Sequence, residues 1–209
     1  MVQAARRGRP TGADGEQTRR RIMGEAMDYV AEVGYGHATM KAIAERAGLT
    51  SAAIYRYFPA KQQLVSTILA EMVDVVIGRL DRATHIPGTL QDRFIALLEE
   101  SLDCVRDYPA AARLSEAARV ESGRIPEFQE VLDGRLRAEE KLYERLIDDA
   151  IRRGELPAGT DRQAISDMLT SITWGLTHLS ALVPRARHAA AIRQVEELLA
   201  SGSVLSRRG

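Results

Sequence analysis

Apolar residues recur at three- and four-residue intervals along most of the chain, which is the period of one helix face. After Thr18 the run Ile22, Ala26, Tyr29, Val30 and Val33 predicts a first helix that stops at Gly34. Thr39 is placed to cap a short second helix with Met40, Ile43, Ala44 and Ala47 on one face, and Gly48 then tolerates positive φ. Thr50 is placed to cap a third helix starting at Ser51, held to about seven residues because Pro59 disfavours helical geometry at Phe58. Leu64, Ile68, Met72, Val75 and Leu80 then mark a long amphipathic helix. Further helices are predicted over 89–107, 110–121, 127–153, 161–183 and 186–200, with Pro or Gly at nearly every junction. No stretch alternates as a strand would, so the expected fold is all-α with about nine helices. Residues 1–15 lack apolar periodicity and read as a flexible basic tail.

The short elements between Thr39 and Phe58 suggest a helix-turn-helix. Ala44 is small where two helices must approach, and Ile43, Ala47, Leu49 and Ile54 supply a core for the crossing. On spacing alone an ordinary helical hairpin remains an alternative. The aromatic residues favour the first reading. The chain is only 5% aromatic, yet Tyr55, Tyr57 and Phe58 are almost adjacent. Ile54 and Phe58, four apart, share an inward face, whereas Ser51, Ala52, Tyr55 and Arg56 lie largely opposite. An outer face mixing hydroxyls, a guanidinium and small apolar groups suits a surface of sugar edges and phosphate oxygens.

Charge sharpens this division. The 209-residue chain has no formal net charge, but residues 1–62 carry +4 and the remainder −4. One end is therefore suited to a polyanion. Hydrophobic residues at 45% and charged residues at 28% describe a chain able to bury a core. The single cysteine, Cys104, excludes an internal disulfide. No segment reaches the roughly 18 apolar residues of a membrane span, and no apolar run follows the basic N-terminus, so neither export nor membrane insertion is expected and the cytoplasm is the expected location.

The segment TMKAIAERAGLTSAAIYRYFPAKQQLVSTIL strongly resembles the DNA-binding region of the TetR family of bacterial transcription regulators. The resemblance rests on Ile43-Ala44, Ala47-Gly48-Leu49, Thr50, Ile54-Tyr55-Arg56-Tyr57-Phe58, Lys61 and Leu64, and spans about 16–70. It implies a DNA-binding domain over 16–62 and a larger ligand-binding and dimerisation domain over 63–209. By position, it implies that Thr39 and Lys41 contact or steer phosphate, that Tyr55, Tyr57 and Lys61 hold the backbone, that Ser51, Ala52, Ala53 and Arg56 face the major groove of double-stranded DNA, and that Thr50 also belongs to the DNA-binding set. Ala52 stands where many relatives have Gly, and Tyr57 where many have His, so no operator sequence carries over. The tail Arg6-Arg7-Gly8-Arg9-Pro10 resembles the core of minor-groove AT-hooks, which would put Arg6, Arg7 and Arg9 in a narrow groove.

In the larger part, Ile165, Met168, Leu169, Ile172, Leu176, Leu179 and Val183 form one stripe, beside a second of Ser166, Thr170, Thr173, Thr177 and Ser180. Two stripes suggest contact on two sides. With Ile192, Val195, Leu198 and Leu199 of the next helix they resemble the paired helices of the family's homodimer interface, the alternative being a stripe for the subunit's own core. The family also has a ligand pocket among its middle helices, for which Phe94, Leu98, Ser101, Cys104, Leu114, Glu121, Phe128, Tyr143 and Trp174 are candidate lining groups. They are mainly apolar, so a small apolar or amphipathic effector is expected. A family member of this kind is a repressor that leaves its palindromic operator when the ligand binds.

Other classes fit less well. There is no G-x-S-x-G elbow and no Walker loop, and GYGHAT fails the dinucleotide pattern and follows a helix, so no enzyme and no cofactor are expected. His37, His85, His178 and His188 lack metal spacing and read as surface or packing residues. A helical protein-interaction module, or an activator without a small-molecule inducer, are the alternatives to a ligand-responsive repressor.

Overall fold

The computed structural model describes residues 12–201. Nine helices and no strand are found among them: α1 (Gly12–Val33), α2 (Met40–Arg46), α3 (Ser51–Ile54), α4 (Lys61–Ala83), α5 (Leu90–Asp107), α6 (Ala111–Glu121), α7 (Pro126–Arg152), α8 (Arg162–Leu182) and α9 (Arg185–Ala200). The all-α expectation holds, and two boundaries move. Helix α1 takes in Gly12 to Gly15, four residues assigned to the tail. Asp14 lies in its first turn, where the exposed N–H groups favour a negative charge. The Thr18 hydroxyl donates to the Asp14 carbonyl at 2.8 Å, and Glu16 pairs with Arg20 one turn on at 3.3 Å.

Helix α3 is shorter than expected, ending at Ile54. The chain then tightens: Arg56 N–H donates to Ala53 O and Tyr57 N–H to Ile54 O, three residues back. Phe58 N–H also reaches Ile54 O, at 3.0 Å, before Pro59 turns the chain away. The helix entries have their expected caps. The Thr39 hydroxyl accepts from Ala42 N–H and the Thr50 hydroxyl from Ala53 N–H, both at 3.2 Å, each worth about 1 kcal/mol. Between them Gly48 adopts φ +66°. That left-handed residue lets Leu49 N–H return to Ala44 O at 2.8 Å and Gly48 N–H to Glu45 O at 3.1 Å, which ends α2 and reverses the chain.

Two apolar clusters organise the molecule. The first joins Ile22, Ala26 and Val30 of α1 to Ile43, Ala44, Ile54, Phe58 and the first half of α4 (Leu64, Val65, Ile68, Leu69). It also takes in Leu114 and Ala118 of α6 and Phe128 of α7. The second joins Leu80 of α4 to Phe94, Leu97 and Leu98 of α5, to Leu142 through Ala150 of α7, and to Leu169, Leu176, Ile192 and Leu199 of α8 and α9. Helices α4 and α7 thus serve both clusters, and α6 fastens the first to the rest.

Candidate nucleic-acid interface and core cavity

The outer surface of the 51–57 segment follows from what its inner surface must bury. Ile54 is fully buried and Phe58 nearly so, at 3% exposed. Ser51, Ala52, Tyr55 and Arg56 are thereby left exposed, while Ala53 and Tyr57 are half-buried at the margin. Tyr57 packs its ring against the first cluster, and its hydroxyl has no partner among the described residues.

Much of the positive charge in this region is already engaged. Arg46 pairs with Glu32 at 2.9 Å and Glu25 at 3.4 Å and lies over the Tyr29 ring. Arg19 pairs with Glu71 at 3.0 Å and lies over Phe58. Lys41 is exposed and only 3.9 Å from Glu45, an arrangement that water competes with readily. Among the described residues of 12–62, Arg21 and Arg56 are the basic groups with no acidic partner or ring contact. Arg6, Arg7 and Arg9 lie outside the described residues.

Lys61 is engaged within the subunit. Its ammonium donates to Tyr35 O at 2.7 Å and Ala38 O at 2.8 Å, and sits 4.1 Å from the Tyr35 ring centre. Burial lowers its pKa, a shift that Glu121 partly opposes. Two of its three donors are spent on carbonyls of the loop before α2, so Lys61 staples α4 to that loop. Lys61→Met is expected to lower stability by about 1.5–3 kcal/mol, the range for hydrogen bonds to charged groups. The salt dependence of DNA binding should stay as in the wild type. A loss of about one in the salt slope would instead give Lys61 a phosphate contact.

The second feature is a cavity of about 80 Å³ enclosed by α4, α5, α6, α7, α8 and α9. Met72, Val73, Val76 and Ile77 form one wall, and Ala111, Ala112 and Ser115 of α6 another. Of the expected lining residues, Leu98, Ser101 and Cys104 are there. Burial pushes the Cys104 thiol up to about 11, partly opposed by Arg79, so it stays protonated at neutral pH.

Other expected lining residues are placed elsewhere. Phe94 and Tyr143 pack edge to face behind the wall, with the Tyr143 hydroxyl 3.0 Å from Thr173 Oγ1. Leu114 and Phe128 belong to the first cluster, where Phe128 meets the Tyr35 ring. Glu121 acts on Tyr35 and Lys61, adding to the rise that burial gives the Tyr35 pKa and opposing the fall at Lys61. Trp174 lines an outer groove that shares Ser115, Arg135 and Thr177 with the cavity, and its indole N–H donates to Glu139.

Much of the expected dimer stripe is used within the subunit. Leu169, Leu176, Ile192 and Leu199 are buried in the subunit's own second cluster, and Ile165, Met168, Ile172 and Val195 pack against it. The neighbouring hydroxyl stripe turns inward as well: Ser166 and Thr173 are buried. Two-sided contact exists on α8, but these sides face its own subunit. The outward face of α8 carries Ser171, Trp174, Gly175 and Leu182, and Leu198 is exposed on α9. Leu179 and Val183 are half-buried between.

Residues 22–68 match the family model described as bacterial regulatory proteins, tetR family. The chain belongs to the TetR family. It is similar to the transcriptional repressor KstR2 of Mycolicibacterium smegmatis, with 24% identity over 152 residues, 69% of this chain and 70% of that protein. In fold it resembles a transcriptional regulator from Saccharomonospora viridis solved with choline, at TM-score 0.78 and 19% identity, covering 92% of this chain and all of that one. It also resembles FadR of Bacillus subtilis solved with stearoyl-CoA, at TM-score 0.69 and 18% identity, covering 88% and 98%. This TetR-family chain is a DNA-binding transcriptional regulator, and its relatives are named as regulators rather than enzymes. No helix among the described residues is long and apolar enough to cross a membrane.

Among the cavity residues missed from sequence, His188 stands out. His188 is 2% exposed, lines the cavity, and leaves both ring nitrogens without a hydrogen-bond partner. A signal for its burial was present, since His188, Ile192, Val195 and Leu199 continue one stripe of α9.

Proposed function

We propose that this TetR-family regulator is a repressor that binds a palindromic operator as a homodimer and is released when a small apolar or amphipathic molecule occupies the core cavity. The observation that carries the reading is the sharing of α4 and α6. Their cavity-lining residues, Met72 to Ile77 and Ala111 to Ser115, are continuous with Leu64 to Leu69, Leu114 and Ala118 in the cluster that holds the DNA-facing segment. At about 80 Å³ the cavity is well below the roughly 300 Å³ of a usual ligand site. Entry of a ligand therefore requires its walls to move, and α4 and α6 carry that movement to the reading segment. The effect is a population shift, which demands that the ligand favour the arrangement with lower DNA affinity.

A single short reading segment contacts too few base pairs for useful specificity, which favours two copies on successive turns of the duplex. The outward face of α8 and α9, with Trp174, Leu182 and Leu198, is the surface on which we expect the copies to meet. Arg56 suits bidentate recognition of guanine and has no acidic partner to give up. On a duplex carrying the preferred site, Arg56→Ala should relax the preference at one base pair per half-site by about 1–3 kcal/mol. Binding-curve titrations against single-base site variants would measure this. A variant with the wild-type preference at every position would remove Arg56 from base readout.

A further inference from the structure

His188 has no hydrogen-bond partner, although buried polar groups in native proteins almost always have one. The Leu176 carbonyl is near enough to oppose the fall in the ring's pKa, yet neither ring nitrogen meets it in hydrogen-bonding geometry. Burial holds the imidazole neutral, so it offers one N–H donor and one acceptor nitrogen at the cavity.

The rest of the lining limits what can meet that ring. The charged side chains on the cavity wall are Arg135 and Glu139, which neutralise each other through Nε and Oε1 at 2.9 Å. Glu139 also accepts from the Trp174 indole. Two nearby hydroxyls are turned to their own helices, Ser101 donating to Leu98 O at 2.6 Å and Ser180 to Thr177 O at 2.7 Å, while those of Tyr108, Ser115 and Thr177 add neutral hydrogen-bonding groups but no charge. An ionised ligand group would be buried without a counter-ion, which is strongly unfavourable. A pure hydrocarbon would leave the His188 ring unsatisfied.

We propose that the cavity takes an uncharged, largely hydrocarbon molecule with one hydrogen-bonding oxygen, a hydroxyl or a carbonyl, that meets the His188 ring. This rests on the reading of the cavity as the effector site. It sets the chain apart from the fold neighbours solved with choline and stearoyl-CoA, both charged molecules.

Trp174 is the sole tryptophan and is bonded to a wall residue, so its fluorescence reports on occupancy. The full-length protein is titrated with 1-octanol, octanoate and octylammonium at neutral pH. Saturable binding of 1-octanol at least about tenfold tighter than either ion is expected. His188→Phe, which keeps the ring and loses the hydrogen bonds, should weaken 1-octanol binding about tenfold. His188→Gln, which restores a donor and an acceptor, should recover most of that loss.

Equal or tighter binding of either ion, no saturable binding of 1-octanol, or an unchanged affinity in His188→Phe would overturn the proposal. Should both variants fail to fold, the order of the three probes on the wild type still decides. Repeating the titration with bound operator DNA separates the two levels. An ion that binds and releases DNA overturns this inference and keeps the effector reading. Binding of 1-octanol with no change in DNA affinity keeps this inference and removes the effector reading.

Discussion

Phe58→Ala is expected to destabilise the protein by about 3–5 kcal/mol, the usual range for removing a buried aromatic ring. Phe58 is 3% exposed, closes the first cluster from the end of the reading segment, and carries the Arg19 guanidinium 5.3 Å above its ring. Its neighbours are poorly placed to collapse into the gap. Ile54 is held by the backbone bond from Phe58 N–H, and Pro59 fixes the exit of the chain. Tyr55→Ala is the contrasting variant, because Tyr55 is 50% exposed. It should change stability by no more than about 0.5 kcal/mol while weakening DNA binding. Denaturant unfolding and DNA titration on both variants would separate the two roles. Similar stability losses would mean that the inner and outer faces of this segment are misassigned.

Glu139→Ala should cost about 3 kcal/mol, near the lower end of the range for breaking a buried ion pair. Glu139 is 1% exposed on α7 and accepts from both Arg135 and the Trp174 indole. Its removal takes the acceptor away from both donors. The loss stays near the lower end because the Arg135 side chain keeps 17% of its surface in water and can turn toward the outer groove. Glu139→Gln retains an acceptor for the indole and should lose roughly half as much. Calorimetric melting together with the Trp174 emission maximum would test this. An unshifted maximum in Glu139→Ala would contradict the indole bond.

The reading segment was legible in the sequence because each of its parts is a local necessity. Gly48 stands where the backbone needs positive φ, Thr39 and Thr50 supply acceptors for open N–H groups, and Ile54 and Phe58 share a face because they are four apart. The cavity was only partly legible. Phe94 and Leu98 are also four apart on α5, yet one packs against Tyr143 of α7 and the other lines the cavity. Periodicity reveals that a face is covered, but not by what. That is why the α8 stripe, correctly seen as apolar, was assigned to a second copy, although α6, α7 and α9 of the same subunit also pack on that helix. His188 was set aside among scattered histidines because isolation in sequence says nothing of isolation in space.

The most direct test of DNA reading by a symmetric pair is selection of the purified protein against random duplexes near physiological salt, followed by sequencing of the retained fraction. The prediction is an enriched inverted repeat whose half-sites lie about one helical turn apart. Enrichment should fall steeply as salt is raised. Retention of no common sequence, by a preparation first unfolded and refolded to strip any bound ligand, would contradict it.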